Sequence, residues 1–161
     1  MPNFFTLRTI AWQNGKVRMI DQSKLPERLN YAEYRRYSEI VKAIRNMVVR
    51  GAPAIGVAGA MGMALAALES QGRTKNSLLR DLRRAKKVLD GARPTAVNMS
   101  WATQRILNVA TSMEDGPKSV IKAIVEEAKM MADEDFETNR TLGRIGSASL
   151  KDGDVVLTHC K

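Results

Sequence analysis

Two short segments near the start of the chain, 7–12 and 16–21, are at least half apolar and are separated by three residues. The pair between them, Asn14-Gly15, tolerates the positive φ angles of a tight two-residue turn. This pattern predicts a β-hairpin. The following segment, 29–37, carries three tyrosines and could form either a third short strand or irregular structure.

Downstream of Ser38, apolar residues recur at every third or fourth position, which is the spacing of helices with one buried face. Capping residues, prolines and glycines set the approximate limits of five predicted helices: 38–48, 53–70, 75–89, 96–112 and 117–146. We expect three glycines to mark breaks around the last helix: Gly116, Gly143 and Gly146. The third helix should turn its apolar residues inward: Leu78, Leu79, Leu82, Ala85, Val88 and Leu89.

The second predicted helix carries no charge from Gly51 to Leu68, a stretch of 18 residues that is close to the lower limit for crossing a bilayer. It consists mostly of alanine and glycine, has Pro53 near its start, and has few of the leucines and isoleucines that drive membrane insertion. Small residues at every fourth position, 52 to 64, would leave one face nearly flat. The pattern therefore predicts a central helix buried on all sides, without membrane contact.

The last apolar run, Val155 to Leu157, is typical of a buried strand. It leads directly to His159 and Cys160, which are the only histidine and the only cysteine in the chain. The predicted fold class is therefore α+β. A small antiparallel sheet and a helical bundle should occupy 1–150, and the first strand of a second unit should occupy 151–161.

The chain has 161 residues, 44% of them apolar, which is enough for one core but short for two. Its formal net charge of +9 favours anionic partners, such as phosphorylated metabolites or nucleic acid. A single cysteine excludes an internal disulfide, and one histidine with one cysteine cannot complete a zinc site. We therefore expect no metal and a reducing, cytoplasmic setting. The first residues do not resemble an export signal, which agrees with this expectation.

The segment Arg50-Gly51-Ala52-Pro53 begins the second helix and combines features of anion sites. Proline suits the first helical turn, and glycine lets the backbone come close to a ligand. The free amides of the helix start and the Arg50 guanidinium could then hold a phosphate. The segment is not a P-loop, because it lacks the lysine and hydroxyl pair. Taken alone, it is equally consistent with an ordinary helix start whose glycines serve packing.

A second start led by arginine, Arg93-Pro94-Thr95, precedes the fourth helix. Pro94 should hold Arg93 in an extended conformation, and Thr95 is the expected cap of a helix that begins near Ala96. Two such starts could converge on one phosphate. The simpler alternative is a loop arginine beside a capped helix.

Cys160 follows the end of the predicted last strand, which is where α/β folds collect their chemistry. Near helix N-termini and arginines, its thiol would lose a proton more readily and could act as a base or nucleophile. A lone cysteine is otherwise most often a small buried hydrophobe.

A basic stripe on the third helix could bind nucleic acid, but few aromatic residues and no nucleic-acid motif accompany it. A solvated helix face is the favoured interpretation of this stripe: Arg80, Arg83, Arg84 and Lys87. The acidic residues of the last helix are interpreted in the same way.

Four segments together resemble the methylthioribose-1-phosphate isomerase family: Asp21-Gln22 with Leu25-Pro26, VRGAPAIGVAGAMG over 49–62, RPTAVNMSWA over 93–102 and VLTHC over 156–160. They occur in the right order and span nearly the whole chain, so the resemblance is more specific than any one motif. Ribose-1,5-bisphosphate isomerases and the alpha-type regulatory subunits of initiation factor 2B are related to this family.

The resemblance implies conversion of 5-methylthioribose 1-phosphate into 5-methylthioribulose 1-phosphate in methionine salvage, without a metal or an organic cofactor. It implies that Cys160 transfers the proton and that its aspartate partner lies in a later segment. It also implies a Rossmann-like second domain and a homodimer. Four residues are implied to hold the substrate phosphate: Arg50, Gly51, Ala52 and Arg93.

The family continues THCNAG, whereas this chain reads Thr158-His159-Cys160-Lys161 and stops. We therefore expect the N-terminal half of an isomerase, with a phosphorylated sugar rather than nucleic acid as its partner and with negligible turnover on its own. Two alternatives stay open. One is a non-catalytic interaction module resembling the initiation factor regulatory subunits, and the other is a ribose-1,5-bisphosphate isomerase.

Overall fold

The computed structural model describes residues 7–157 of the chain. It opens with an antiparallel sheet of three strands in the order β1-β2-β3, with the bounds β1 Ile10–Gln13, β2 Lys16–Ile20 and β3 Tyr31–Tyr34. Asn14 (φ 49°) and Gly15 (φ 73°) form the turn between β1 and β2. Two successive left-handed residues match the twist of a tight hairpin, so the predicted hairpin is confirmed. The tyrosine-rich segment supplies β3, which pairs with β2.

Five helices follow the sheet: α1 Tyr37–Arg45, α2 Ala52–Glu69, α3 Lys75–Asp90, α4 Val97–Ser112 and α5 Pro117–Ser147. Buried residues of β1, β2 and all five helices form one continuous apolar cluster. The predicted α+β class is confirmed. The sheet and the bundle share a single core, in which apolar burial supplies the main stabilisation.

The central helix of the bundle is α2, whose residues 55–67 are all buried. Its glycines allow close approach of neighbouring helices. A Cβ at Gly56 would lie 3.1 Å from the carbonyl oxygen of Asn98, and one at Gly59 would lie 3.4 Å from the Thr103 methyl group. The order of these contacts shows that α2 and α4 run in the same direction. The predicted helix buried on all sides is confirmed.

At one end of the bundle, side chains bind free backbone groups of several helix ends, and we call it the capped end. It comprises the starts of α1 and α3 with the ends of α2 and α4. The start of α5, which closely follows the end of α4, also lies here but has no side-chain cap. The N–H of Tyr37, the first residue of α1, donates to Oε1 of Glu69 (2.7 Å). Thr74 caps α3 by accepting from the N–H of Ser77 (3.2 Å). Lys75 donates to two carbonyl oxygens at the end of α4.

Two helix predictions are wrong. Gly143 and Gly146 do not break α5, which continues to Ser147, because one glycine costs a helix only about 1 kcal/mol. Val88 does not face inward and is 38% exposed. It follows Arg84 by one helical turn and therefore shares the outer face of α3.

The apolar run near the end of the described chain does not form the predicted buried strand. Val155 is 99% exposed and Leu157 is 96% exposed, and no strand is formed over 154–157. The physical reason is that residues 7–157 place no strand beside this segment. The assignment of 151–161 to a second domain stays a prediction.

Candidate anion-binding site

The start of α2 leaves its amide groups without a side-chain cap. Gly51 is the cap residue, and its φ of 89° is a conformation that favours glycine. The first helical hydrogen bond runs from the N–H of Ile55 to the carbonyl of Gly51 (2.9 Å). Among the described residues, no acceptor binds the N–H groups of Gly51, Ala52 and Ala54. Because Gly51 and Ala52 are exposed, these donors are open to a ligand.

The start of α4 is also uncapped. Ala96 is the cap residue in an extended conformation (φ −84°, ψ 91°) and offers no side-chain acceptor. Thr95, the expected cap, does not fill that role. A turn closed by the N–H of Ala96 on the Arg93 carbonyl (3.0 Å) moves the helix start to Val97, so Thr95 lies one residue too early. Within 7–157, no acceptor binds the first amide of α4.

The two uncapped starts lie at the same end of the bundle, opposite the capped end. Gly56 is four residues beyond the start of α2 and touches Asn98, the second residue of α4. Four residues of helix span about 6 Å. The segments Arg50–Pro53 and Arg93–Val97 therefore flank one region, which we call the arginine end. The positive ends of two parallel helix dipoles meet there.

Arg50 is half-buried and is held by a reciprocal pair of hydrogen bonds with Gln22. Its Nη2 donates to the Gln22 carbonyl (3.2 Å), and Nε2 of Gln22 donates to the Arg50 carbonyl (3.2 Å). A guanidinium has five N–H donors, so four remain for a ligand. Sequence reasoning missed the role of Gln22. Its side chain meets a residue 28 positions away, and no local pattern indicates such a contact.

Arg93 is half-buried, and within residues 7–157 its side chain makes neither a hydrogen bond nor an ion pair. The loop that carries Arg93 begins at Asp90, whose carboxylate is held by two hydrogen bonds. Asp90, at the end of α3, accepts from Lys86 Nζ (2.7 Å) and from the fully buried Thr103 hydroxyl (2.7 Å). Because Lys86 neutralises this carboxylate, Asp90 does not leave an uncompensated negative charge three residues from Arg93.

A cleft of about 810 Å³ lies beside the first turn of α2, between β1 and α5. The Phe136 ring lies there close to two guanidinium groups, with Arg8 4.2 Å and Arg140 5.8 Å from the ring centre. Burial raises the pKa of the Asp135 carboxyl group in the same wall. The predicted phosphate-binding residues do not line this cleft. We place the anion site at the arginine end, because the open donors are there.

Three further sequence predictions concern the basic stripe on α3, His159 with Cys160, and the possibility of a metal site. The basic stripe on α3 is exposed, as a solvated face requires: Arg80, Arg83, Arg84 and Lys87. His159 and Cys160 lie outside the described residues, so the role predicted for Cys160 stays a prediction. Within the part of the chain that the structure describes, no three histidine, cysteine, aspartate or glutamate residues are grouped to hold a metal ion.

Similarity to known proteins identifies the class to which the chain belongs. Residues 48–161 match the Initiation factor 2 subunit family, and the chain belongs to that family. The match includes both helix starts led by arginine and all of α2 to α5.

The chain is similar both to proteins named as isomerases and to a protein named as an initiation factor subunit. A methylthioribose-1-phosphate isomerase from Geotalea uraniireducens is 45% identical over 96% of this chain and 45% of its own length. The crystal structure of 5-methylthioribose 1-phosphate isomerase from Pyrococcus horikoshii matches with a TM-score of 0.85 and 41% identity, over 92% of this chain and 42% of that one. The structure of translation initiation factor eIF-2B, subunit delta, from Archaeoglobus fulgidus matches with a TM-score of 0.86 and 44% identity, over 97% of this chain and 45% of that one. The chain thus spans about 45% of the curated relative's length.

Proposed function

We propose that this chain is the phosphate-binding part of a methylthioribose-1-phosphate isomerase. The observation that carries the proposal is the arginine end, where two uncapped helix starts, each led by an arginine, flank one region. The exposed amides of a helix start, at the positive end of its dipole, are suited to bind an anion. A sugar phosphate supplies several anionic oxygens to such donors, and the identity with named isomerases supports that ligand class.

In the proposed reaction, 5-methylthioribose 1-phosphate becomes 5-methylthioribulose 1-phosphate. The net change breaks the bond between C1 and the ring oxygen, moves the hydrogen on C2 to C1 and the C2 hydroxyl proton to the former ring oxygen, and leaves a carbonyl at C2. The phosphate stays attached to C1. The role of the arginine end is to hold that phosphate still while a proton moves, since positioning a reacting carbon lowers the entropic part of the barrier. Cys160 is the proposed proton-transfer group. The proposed setting is a cytoplasmic homodimer that needs no metal.

A second function is favoured by one specific observation. The Archaeoglobus fulgidus protein named as an initiation factor subunit is as similar to this chain as the isomerases are. A regulatory module would use an exposed surface such as the α3 stripe to contact RNA or protein. Binding to tRNA that falls steeply between low and physiological salt would favour this function. The same salt series on R83A/R84A identifies whether the stripe is responsible.

The first test measures binding of inorganic phosphate to the chain by calorimetry. We expect Arg50→Ala and Arg93→Ala each to weaken binding by about 1.5–3 kcal/mol, the range for charge-assisted hydrogen bonds. Arg84→Ala is the matched control, because Arg84 is exposed on α3 and lies outside the site. Equal affinities for the wild type and both site variants would remove the arginines from phosphate binding.

A second test measures turnover of 5-methylthioribose 1-phosphate by the chain without an added partner. We expect negligible turnover, because a general base without its acid partner loses roughly a hundred- to ten-thousand-fold in rate. Robust turnover by this chain alone would contradict the proposal that the aspartate partner of Cys160 lies in another segment. Turnover of ribose 1,5-bisphosphate in a parallel assay would identify the related isomerase instead.

A further inference from the structure

Gln22 lies where the sheet meets the arginine end. It begins a short 3-10 turn, Gln22–Lys24, directly after β2. Its backbone N–H donates to the carbonyl of Val48 (2.9 Å), which fixes the turn against the segment that leads into α2. Three hydrogen bonds therefore connect this one residue with positions 48 and 50.

The bond from Gln22 Nε2 to the Arg50 carbonyl fixes the peptide between Arg50 and Gly51. A trans peptide is planar, and its C=O and N–H groups point in opposite directions. Because the carbonyl points toward Gln22, the N–H of Gly51 points away from it. This N–H is one of the open donors at the start of α2.

The bond from Arg50 Nη2 to the Gln22 carbonyl fixes the guanidinium by one edge. Arginine side chains lose substantial conformational entropy when a ligand orders them. A guanidinium that is already held loses less of this freedom on binding, so the ligand is bound more tightly.

We propose that Gln22 is a positioning residue of the phosphate site, because its side-chain amide directs the Gly51 N–H and its carbonyl holds the Arg50 guanidinium. This inference rests on the proposed function, in which the arginine end holds a sugar phosphate. Gln22 itself touches no substrate. It acts through Arg50 and Gly51.

The test compares phosphate binding by the wild type, Gln22→Met and Gln22→Glu, with inorganic phosphate as the probe. Methionine keeps the approximate shape and removes the amide donor, so the affinity should fall roughly five- to tenfold. Glutamate also adds a negative charge next to Arg50, so the loss should approach a hundredfold. Gln71→Met is the matched control, because Gln71 is exposed and lies beyond the end of α2.

The melting temperatures of the Gln22 variants, measured with and without phosphate, distinguish a positioning role from a purely structural one. Such a role would lower the melting temperature in both conditions and leave the phosphate-induced increase unchanged. The positioning role reduces that increase, since ligand stabilisation depends on affinity. In the wild type, phosphate titration should also shift the ¹H–¹⁵N signals of the Gly51 amide and the Gln22 side-chain amide together.

The outcomes separate the inference from the proposed function. If Arg50→Ala weakens binding while both Gln22 variants bind as the wild type does, the positioning role is overturned and the phosphate site stands. If the wild type binds no phosphate, the phosphate site and the positioning role both fall. If the variants do not fold, the titration of the wild type decides, and an unshifted Gln22 side-chain signal overturns the inference.

Discussion

At the capped end, Thr74 accepts the N–H of Ser77 and Glu69 accepts that of Tyr37, whereas at the arginine end no side chain caps α2 or α4. Serine, threonine, aspartate and asparagine are the usual caps, and each stabilises a helix by about 1 kcal/mol. Thr74 provides such a cap for α3, whereas the neighbouring starts of α2 and α4 lack one and do not receive this contribution to the free energy of unfolding. The start of α5 lacks a side-chain cap as well. The arginine end therefore differs in having two arginine-led starts side by side, where open amides and guanidinium groups share one region.

The largest expected effect comes from adding a cap where none exists. Ala96→Asp places an acceptor at the start of α4, in an extended conformation that suits a cap. We expect stability to increase by about 1 kcal/mol. Phosphate affinity should fall by about 3 kcal/mol, because the carboxylate competes for the amides and repels the anion. Urea unfolding and phosphate calorimetry measure the two effects.

The control for this variant is Ala96→Ser, which adds a neutral cap. It should raise stability by a similar amount but lower phosphate affinity by only about 1 kcal/mol, the contribution of one hydrogen bond. An Ala96→Asp protein that binds phosphate as well as the wild type would mean that the amides of α4 are not part of the site.

The next effect tests the spacing of the two starts. In Gly56→Ala the new methyl group would lie 3.1 Å from the carbonyl oxygen of Asn98, and backbone must move to admit it. We expect a loss of about 1–3 kcal/mol in the free energy of unfolding, together with weaker phosphate binding. Gly143→Ala is the matched control, since Gly143 also lies inside a helix and a Cβ there meets nothing within 4 Å. Weaker folding with unchanged phosphate affinity would show that the spacing is not important for binding.

A smaller effect is expected at the capped end. Thr74→Ala removes the acceptor for the Ser77 N–H and should lower the free energy of unfolding by about 1 kcal/mol. Phosphate affinity should not change, because this cap lies at the opposite end of the bundle. Thr141→Ala, at an exposed helical position, serves as the control. A change in phosphate affinity in Thr74→Ala would remove the distinction between the two ends.

The smallest effect concerns the side of the bundle, away from both ends. Arg105 binds Glu134 through two hydrogen bonds of 2.6 and 2.8 Å and holds the pKa of that carboxyl below its ordinary value of 4.5. A lowered folded-state pKa stabilises the fold above the ordinary value, and this contribution is lost as the pH falls through the folded-state pKa. Because Glu134 is half exposed, Glu134→Gln should cost only about 0.5 kcal/mol at pH 7. The difference from the wild type in urea unfolding should disappear in acid.

The local parts of the fold were predictable from the sequence because local chemistry determines them. Asn14-Gly15 specifies its turn by backbone conformation alone, and α2 is recognisable from an uncharged run of small residues. The predicted cap at Thr95 was wrong, because a turn from Arg93 to Ala96 shifts the helix start by one residue. Propensities predict that a cap is near, but they do not resolve its position.

The site was predictable only in part, for a different reason. The arginine, proline and glycine pattern indicates two possible anion sites. The two helix starts lie at the same end of the bundle because α2 and α4 pack in parallel, and Gly56 permits this packing. The contact between Gln22 and Arg50 depends on the position of the sheet against the bundle, and this is a tertiary property without a sequence signature.

The depth of α2 in the finished fold has a consequence for synthesis. On the ribosome α2 emerges before α4 and α5, which cover much of its surface in the folded chain. During that interval the nascent protein presents an apolar helix whose only charged residue is Glu69 at its end. Completion of translation through α5 removes this exposure.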